Sequence, residues 1–168
     1  MPPIEDQLEI IGRLALAALF GGIIGLEREL RGYPAGIRTL ALVTMGSLLF
    51  TDVSQLLGGD DRVAAGIVTG IGFLGAGVIF REGYTVRGIT TAATIWSAAA
   101  IGMAIGRELY LVAGVGAVLV FLVLEARPFT RRVDEAIRRR TRELSEEMEK
   151  LITSSDMNDR DGERDEDD

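Results

Sequence analysis

The chain has 168 residues, enough for one soluble domain on length alone, with 48% hydrophobic content and a formal charge of −7. It contains neither Cys nor His, which removes thiol and disulfide chemistry, imidazole metal ligation and an imidazole acid–base. The acidic excess comes chiefly from residues 156–168, so it describes a solvated appendage and argues against a nucleic-acid partner.

In chain order, five apolar runs alternate with short loops rich in Arg and Gly. They cover residues 10–26, 39–57, 63–80, 89–106 and 109–124. About seventeen to twenty apolar residues cross a bilayer core as a helix, so the pattern predicts an all-α integral membrane bundle of five transmembrane helices over residues 8–126. The opening residues Glu5 and Asp6 replace the basic region of a signal peptide, so the first run is expected to be a retained helix. Residues 128–152, after Pro128, read as a cytoplasmic amphipathic helix with Val133, Ile137, Leu144, Met148 and Leu151 on one side, lying on the inner leaflet. Residues 153–168 have almost nothing to bury and are expected to form a disordered acidic tail.

Arginines set the expected orientation. Arg28, Arg31 and Arg38 follow the first run, Arg81 and Arg87 follow the third, and seven arginines from Arg127 to Arg142 follow the fifth. The other side has Arg62 and Arg107, with Arg13 near its surface. A multi-pass cell (inner) membrane protein is expected, with its N-terminus outside and its C-terminus cytoplasmic. Re-entry of the glycine-rich third run is the alternative that would scramble this alternation. Gly66 and Gly70, and Gly102 and Gly106, form GxxxG pairs. In lipid these let helices approach closely, which suggests a tight bundle with the third and fourth helices inside.

The motifs carry the functional reading. GIGFLG at 70–75 matches a dinucleotide fingerprint, but no strand precedes it and no βαβ unit surrounds it. Arg13 and Asp52 are the charges inside the runs, and an ionisable group at membrane depth is a functional candidate. They pair with each other, or Arg13 pairs with Glu9, or Arg13 snorkels outward beside an interfacial Asp52. Thr90, Thr94 and Ser97 share one face of the fourth helix, with Thr91 beside it. That stripe either lines an ion path or bonds back to its own helix. Trp96 lies well inside its run and is expected to fill the bundle or cap a cavity. The loops around Glu27, Arg28, Pro34, Gly36, Arg38, Arg81, Glu82 and Arg87 are Arg/Glu/Gly mixtures on one side, so they can meet. They set topology, or they form a functional cytoplasmic face.

The stretches GLERE (25–29), PAGIRT (34–39), GIGFLGAGVI (70–79), VRGITTAATIW (86–96) and AAIG (99–102) together resemble the membrane domain of the MgtC/SapB family. The resemblance covers roughly residues 14–106. It implies a five-helix bacterial or archaeal membrane protein tied to low-magnesium adaptation, survival inside host cells and modulation of other membrane machines such as the ATP synthase. Better-known members carry a folded cytoplasmic domain after the membrane part, whereas a helix and an acidic tail are expected here. Leu40 stands where many relatives are expected to have His.

The leading expectation is a non-enzymatic membrane protein of this type, active in magnesium or ion-stress adaptation through its cytoplasmic face on a membrane partner. The alternative is a small oligomeric ion transporter or channel using Asp52 and the hydroxyl stripe. A transporter needs a continuous polar route, and polar groups are expected near the ends but few at mid-depth. No nucleophile–base pair, metal cluster or phosphate loop is evident, so no catalytic, cofactor-binding or metal residue is nominated. The candidate partners are the lipid bilayer, a membrane protein and a second copy of the chain in a homo-oligomer; no nucleic acid is expected.

Overall fold

The computed structural model describes residues 4–59, 61–83 and 85–126; the side chains of Asp6, Asp61, Glu82 and Thr85 also lie outside the description. The expected helix at 128–152 and the acidic tail at 153–168 are therefore outside the described residues. Five helices make up most of the described chain: α1 (Ile4–Leu30), α2 (Ile37–Leu56), α3 (Asp61–Gly77), α4 (Ile89–Gly106) and α5 (Tyr110–Glu125). Three of them are long and apolar enough to cross a membrane, over Gln7–Leu30, Ile37–Leu56 and Ile89–Gly106. The remaining apolar helices are shorter, over Arg62–Gly77 and Tyr110–Glu125.

The helix ends follow local chemistry. α1 runs past its apolar stretch to Leu30, so Glu27, Arg28 and Glu29 are helical rather than loop residues. The chain then turns at Gly32 (φ 74°) and re-enters a helix at Ile37. Gly36 offers no capping side chain, and the Glu29 carboxylate takes that role, accepting the Ile37 N–H at 2.9 Å. A carboxylate there satisfies an orphan N–H and favours the positive end of the helix dipole.

Between α3 and α4 the chain makes a feature absent from the sequence reading. β1 (Phe80–Glu82) pairs antiparallel with β2 (Thr85–Arg87), with Phe80 opposite Arg87 and Arg81 opposite Val86. Gly83 has φ 62°, the left-handed conformation that short hairpin turns need. Gly88 has φ 93° before α4, and a β-carbon there would strike the Val78 carbonyl. The hairpin therefore closes against the end of α3.

α2 is the central helix, packed broadly against α1 and α4. Glycines make those contacts close. A side chain at Gly21 or Gly25 of α1 would collide with the backbone of residues 36–40, and one at Gly102 or Gly106 of α4 would collide with Thr44, Ser47 or Thr51 of α2. The core of Ala17, Ile24, Leu40, Leu48, Ile95 and Ile105 fills the space between these three helices.

The expectation that helices three and four are both inside is corrected for α3. α4 is half buried over its span, but Gly66, Gly70, Gly72 and Gly77 of α3 have nothing within 4 Å of a would-be β-carbon. The Gly102/Gly106 pair is used within the fold and the Gly66/Gly70 pair is not. Trp96 is likewise 53% exposed rather than filling the bundle. α5 touches the bundle lightly, with Gly114 beside Phe20 and Gly116 beside Ile101.

Candidate functional site

Up-and-down connection brings the end of α1, the start of α2, the hairpin and the start of α4 to one end of the molecule. Arg28 organises that end. It is 1% exposed, its Nη2 donates to Thr91 Oγ1 at 2.9 Å, and its guanidinium lies 3.7 Å from the centre of the Tyr33 ring. The Tyr33 N–H in turn donates to the Arg28 carbonyl at 3.0 Å. One side chain thus ties the α1–α2 loop to the first turn of α4. A planar guanidinium can stack on a ring and donate in its own plane at once, which an ammonium cannot do.

The neighbouring charges have separate duties. Glu27 is 6% exposed, and its Oε1 lies 2.7 Å from Arg31 Nε, an ion pair one turn along the same helix. Glu29 caps α2 as described. Ala35 is 2% exposed and pins the loop, with Pro34 exposed before it and Gly36 pressed beneath Glu29. Arg38 is exposed and makes no ion pair among the described residues. Arg81 is exposed, with its Nε donating to the Gly83 carbonyl at 2.8 Å. Arg87 is an exposed residue of β2, and Glu82 belongs to β1. Arg28 of α1 and Thr91 of α4 link the two segments. Glu27 and Glu29 are engaged by Arg31 and by backbone.

At the opposite end, Arg13 and Asp52 are paired, with Arg13 Nη1 3.3 Å from Asp52 Oδ1. The same nitrogen is 3.5 Å from Glu108 Oε1, and Arg13 Nε is 3.8 Å from Glu9 Oε1. Both sequence alternatives for Arg13 pairing are realised together. Glu108 adds the turn after α4, and it has φ 59°, a left-handed conformation uncommon outside glycine. Asp52 is 5% exposed, and its Oδ2 has no hydrogen-bond partner among the described residues. Gln55 Nε2 donates to the Gly106 carbonyl, joining α2 to the end of α4. Among the described residues no group of three or more His, Cys, Asp or Glu is arranged to hold a metal ion.

Two hydroxyls of the α4 stripe bond back to their own helix. Thr94 donates to the Thr90 carbonyl at 2.7 Å and Ser97 to the Ala93 carbonyl at 2.9 Å, while Thr90 itself is exposed. The expectation of few polar groups at mid-depth needs correction. Thr44, Ser47, Thr51 and Asp52 of α2 are all buried, at 0%, 3%, 8% and 5% exposure, facing α1 and α4 with Thr91 and Thr94. Their spacing of three, four and one residues was a readable signal of one helical face. Tyr33 and Glu108 carried no comparable signal, because each acts through a turn.

A family model described as MgtC family matches residues 14–133, most of the chain. The chain belongs to the MgtC family. It is 51% identical over 113 residues to Protein MgtC of Brucella abortus, covering 66% of this chain and 48% of that relative. It is 47% identical over 128 residues to the Putative magnesium transporter YhiD of Escherichia coli, covering 70% and 60%. Protein MgtC of Salmonella typhimurium is 53% identical over 95 residues, covering 55% and 41%. The chain thus matches about half the length of these curated relatives. No solved structure matches it. The apolar helices and the MgtC-family relatives together make this a membrane protein.

Proposed function

We propose that this MgtC-family chain is a non-enzymatic five-span protein of the inner membrane, serving magnesium or ion-stress adaptation by acting on a membrane partner through its hairpin end. On this reading all five helices cross the bilayer and the N-terminus is outside. Arg28, Arg38, Arg81 and Arg87 then face the cytoplasm, as the excess of arginine at that end favours. The relative named a putative magnesium transporter supports the magnesium link. The observation that carries the reading is Arg28, buried between Tyr33 and Thr91, which holds the α1–α2 loop against the start of α4. Exposed Arg38 and Arg81 then stand on a fixed frame, as recognition of an acidic partner segment requires.

A second reading, a small oligomeric ion transporter, is favoured by the buried polar face of α2 that ends at Asp52. Growth in low magnesium separates the two, using a strain lacking its own MgtC-family gene and complemented with this chain. Arg38→Ala and Arg87→Ala should abolish rescue at unchanged expression, while Asp52→Asn should leave it largely intact. The reverse result favours transport.

A further inference from the structure

The hairpin between α3 and α4 exposes apolar and cationic side chains together. Ile79, Phe80, Val86 and Ile89 are exposed, and so are Arg81 and Arg87. The register sets Phe80 opposite Arg87 and Arg81 opposite Val86, so each face of the ribbon carries one apolar side chain beside one arginine. A lone two-stranded hairpin is marginal in water, and exposed apolar side chains do not help it there.

Its place along the chain says what surrounds it instead. Only Gly88 separates β2 from α4, a helix long enough to span a bilayer, and only Val78 and Ile79 separate α3 from β1. Ile89 opens that span, so the hairpin stands at headgroup level. There apolar side chains reach the acyl region while arginines reach phosphates.

Arg81 is the arginine prepared for a ligand. Its Nε donates to the Gly83 carbonyl at 2.8 Å, across a turn that Gly83 holds at φ 62°. That bond fixes the guanidinium plane. Nη1 and Nη2 make no hydrogen bond or ion pair among the described residues. Two parallel N–H donors in one plane match two oxygens of a phosphate.

We propose that Arg81 and Val86 hold one anionic phospholipid, with the guanidinium fork on the headgroup phosphate and Val86 against the first acyl carbons. The chemistry selects the occupant. Free phosphate has no apolar part for Val86. A partner carboxylate would suit the fork, but lipid is already present at this depth and carries phosphate and apolar chains in one molecule. An anionic headgroup is preferred because the cation of a zwitterionic one competes for its own phosphate. The proposal rests on the reading of the hairpin end as the functional surface, and it gives Arg81 to lipid while Arg38 and Arg87 stay with the partner. The growth test above uses only those two arginines, so either reading can fail alone.

The test is native mass spectrometry of the full chain released from detergent, with phosphatidylglycerol and phosphatidylcholine titrated in competition. The parent should retain one phosphatidylglycerol in preference to phosphatidylcholine. Arg81→Gln should weaken that binding about ten-fold or more, the worth of a hydrogen bond to a charged group. Arg81→Lys keeps the charge but not the fork, and it should restore only part of the loss. Val86→Ser should weaken binding with the arginine intact. Arg107→Gln, an exposed arginine beyond the other end of α4, should match the parent. Equal retention of the two lipids by the parent, or phosphatidylglycerol binding untouched by Arg81→Gln, would overturn the proposal. So would displacement of the lipid by millimolar inorganic phosphate, which would assign the fork to the free anion. A dimer lost in Arg81→Gln, with no lipid preference in the parent, would overturn it too, by assigning this face to a second copy of the chain.

Discussion

Arg28 and Arg13 solve the same problem at opposite ends of the molecule. Each takes a guanidinium into a setting of little water and holds it with partners from more than one element. Arg28 depends on a hydroxyl and a ring, so its frame is specific in direction as well as charge. Thr91→Val should therefore destabilise the protein by about 1.5–3 kcal/mol, the range for a hydrogen bond to a charged group. Tyr33→Leu should cost about 0.5–2 kcal/mol. Thermal unfolding in detergent measures both, and a Thr91→Val protein as stable as the parent would remove Arg28 from its organising role. Arg13→Ala leaves Asp52 buried without its closest cation, at a cost of about 3–5 kcal/mol. Adding Asp52→Ala should recover much of that loss. A double-mutant cycle reads the coupling directly, and simple additivity would mean the pair is not coupled.

At the scale of elements, glycine positions distinguish packed faces from open ones. Gly102→Leu would drive a side chain into Thr44 and Ser47 of α2, so it should prevent a monodisperse folded protein. Gly66→Leu faces open space and should be tolerated. Size-exclusion profiles of the two variants separate these outcomes, and equal damage from both would contradict the packing described. The same contrast explains what the sequence could disclose. Apolar runs located α2 to α5 to within about three residues, because long apolar stretches write themselves into composition, whereas α1 begins six residues before its run and ends four after it. GxxxG spacing disclosed that a helix can approach another closely, but not which pair does so: Gly102/Gly106 and Gly66/Gly70 look alike as strings. The hairpin was hidden because three-residue strands carry no periodicity, and only Gly83 and Gly88 mark them. In the candidate site, the charges of Arg13, Asp52, Glu27 and Arg28 stood out against apolar surroundings. Tyr33, Glu29 and Glu108 did not, because their roles depend on turns that bring residues several places apart into contact.

At the scale of the whole molecule, everything proposed for function depends on which side of the membrane the hairpin end occupies and on whether α3 and α5 cross. Substituted-cysteine labelling with an impermeant maleimide in intact cells tests both at once. Leu57, Arg81, Arg107 and Ala126 are exposed and lie in the segments after α2, α3, α4 and α5 respectively, so each reports one connection. Leu57→Cys and Arg107→Cys should label from outside, whereas Arg81→Cys and Ala126→Cys should label only after the membrane is permeabilised. Labelling of Arg81→Cys from outside intact cells would contradict the account, because it would put the arginine-bearing surface on the wrong side to reach a cytoplasmic partner.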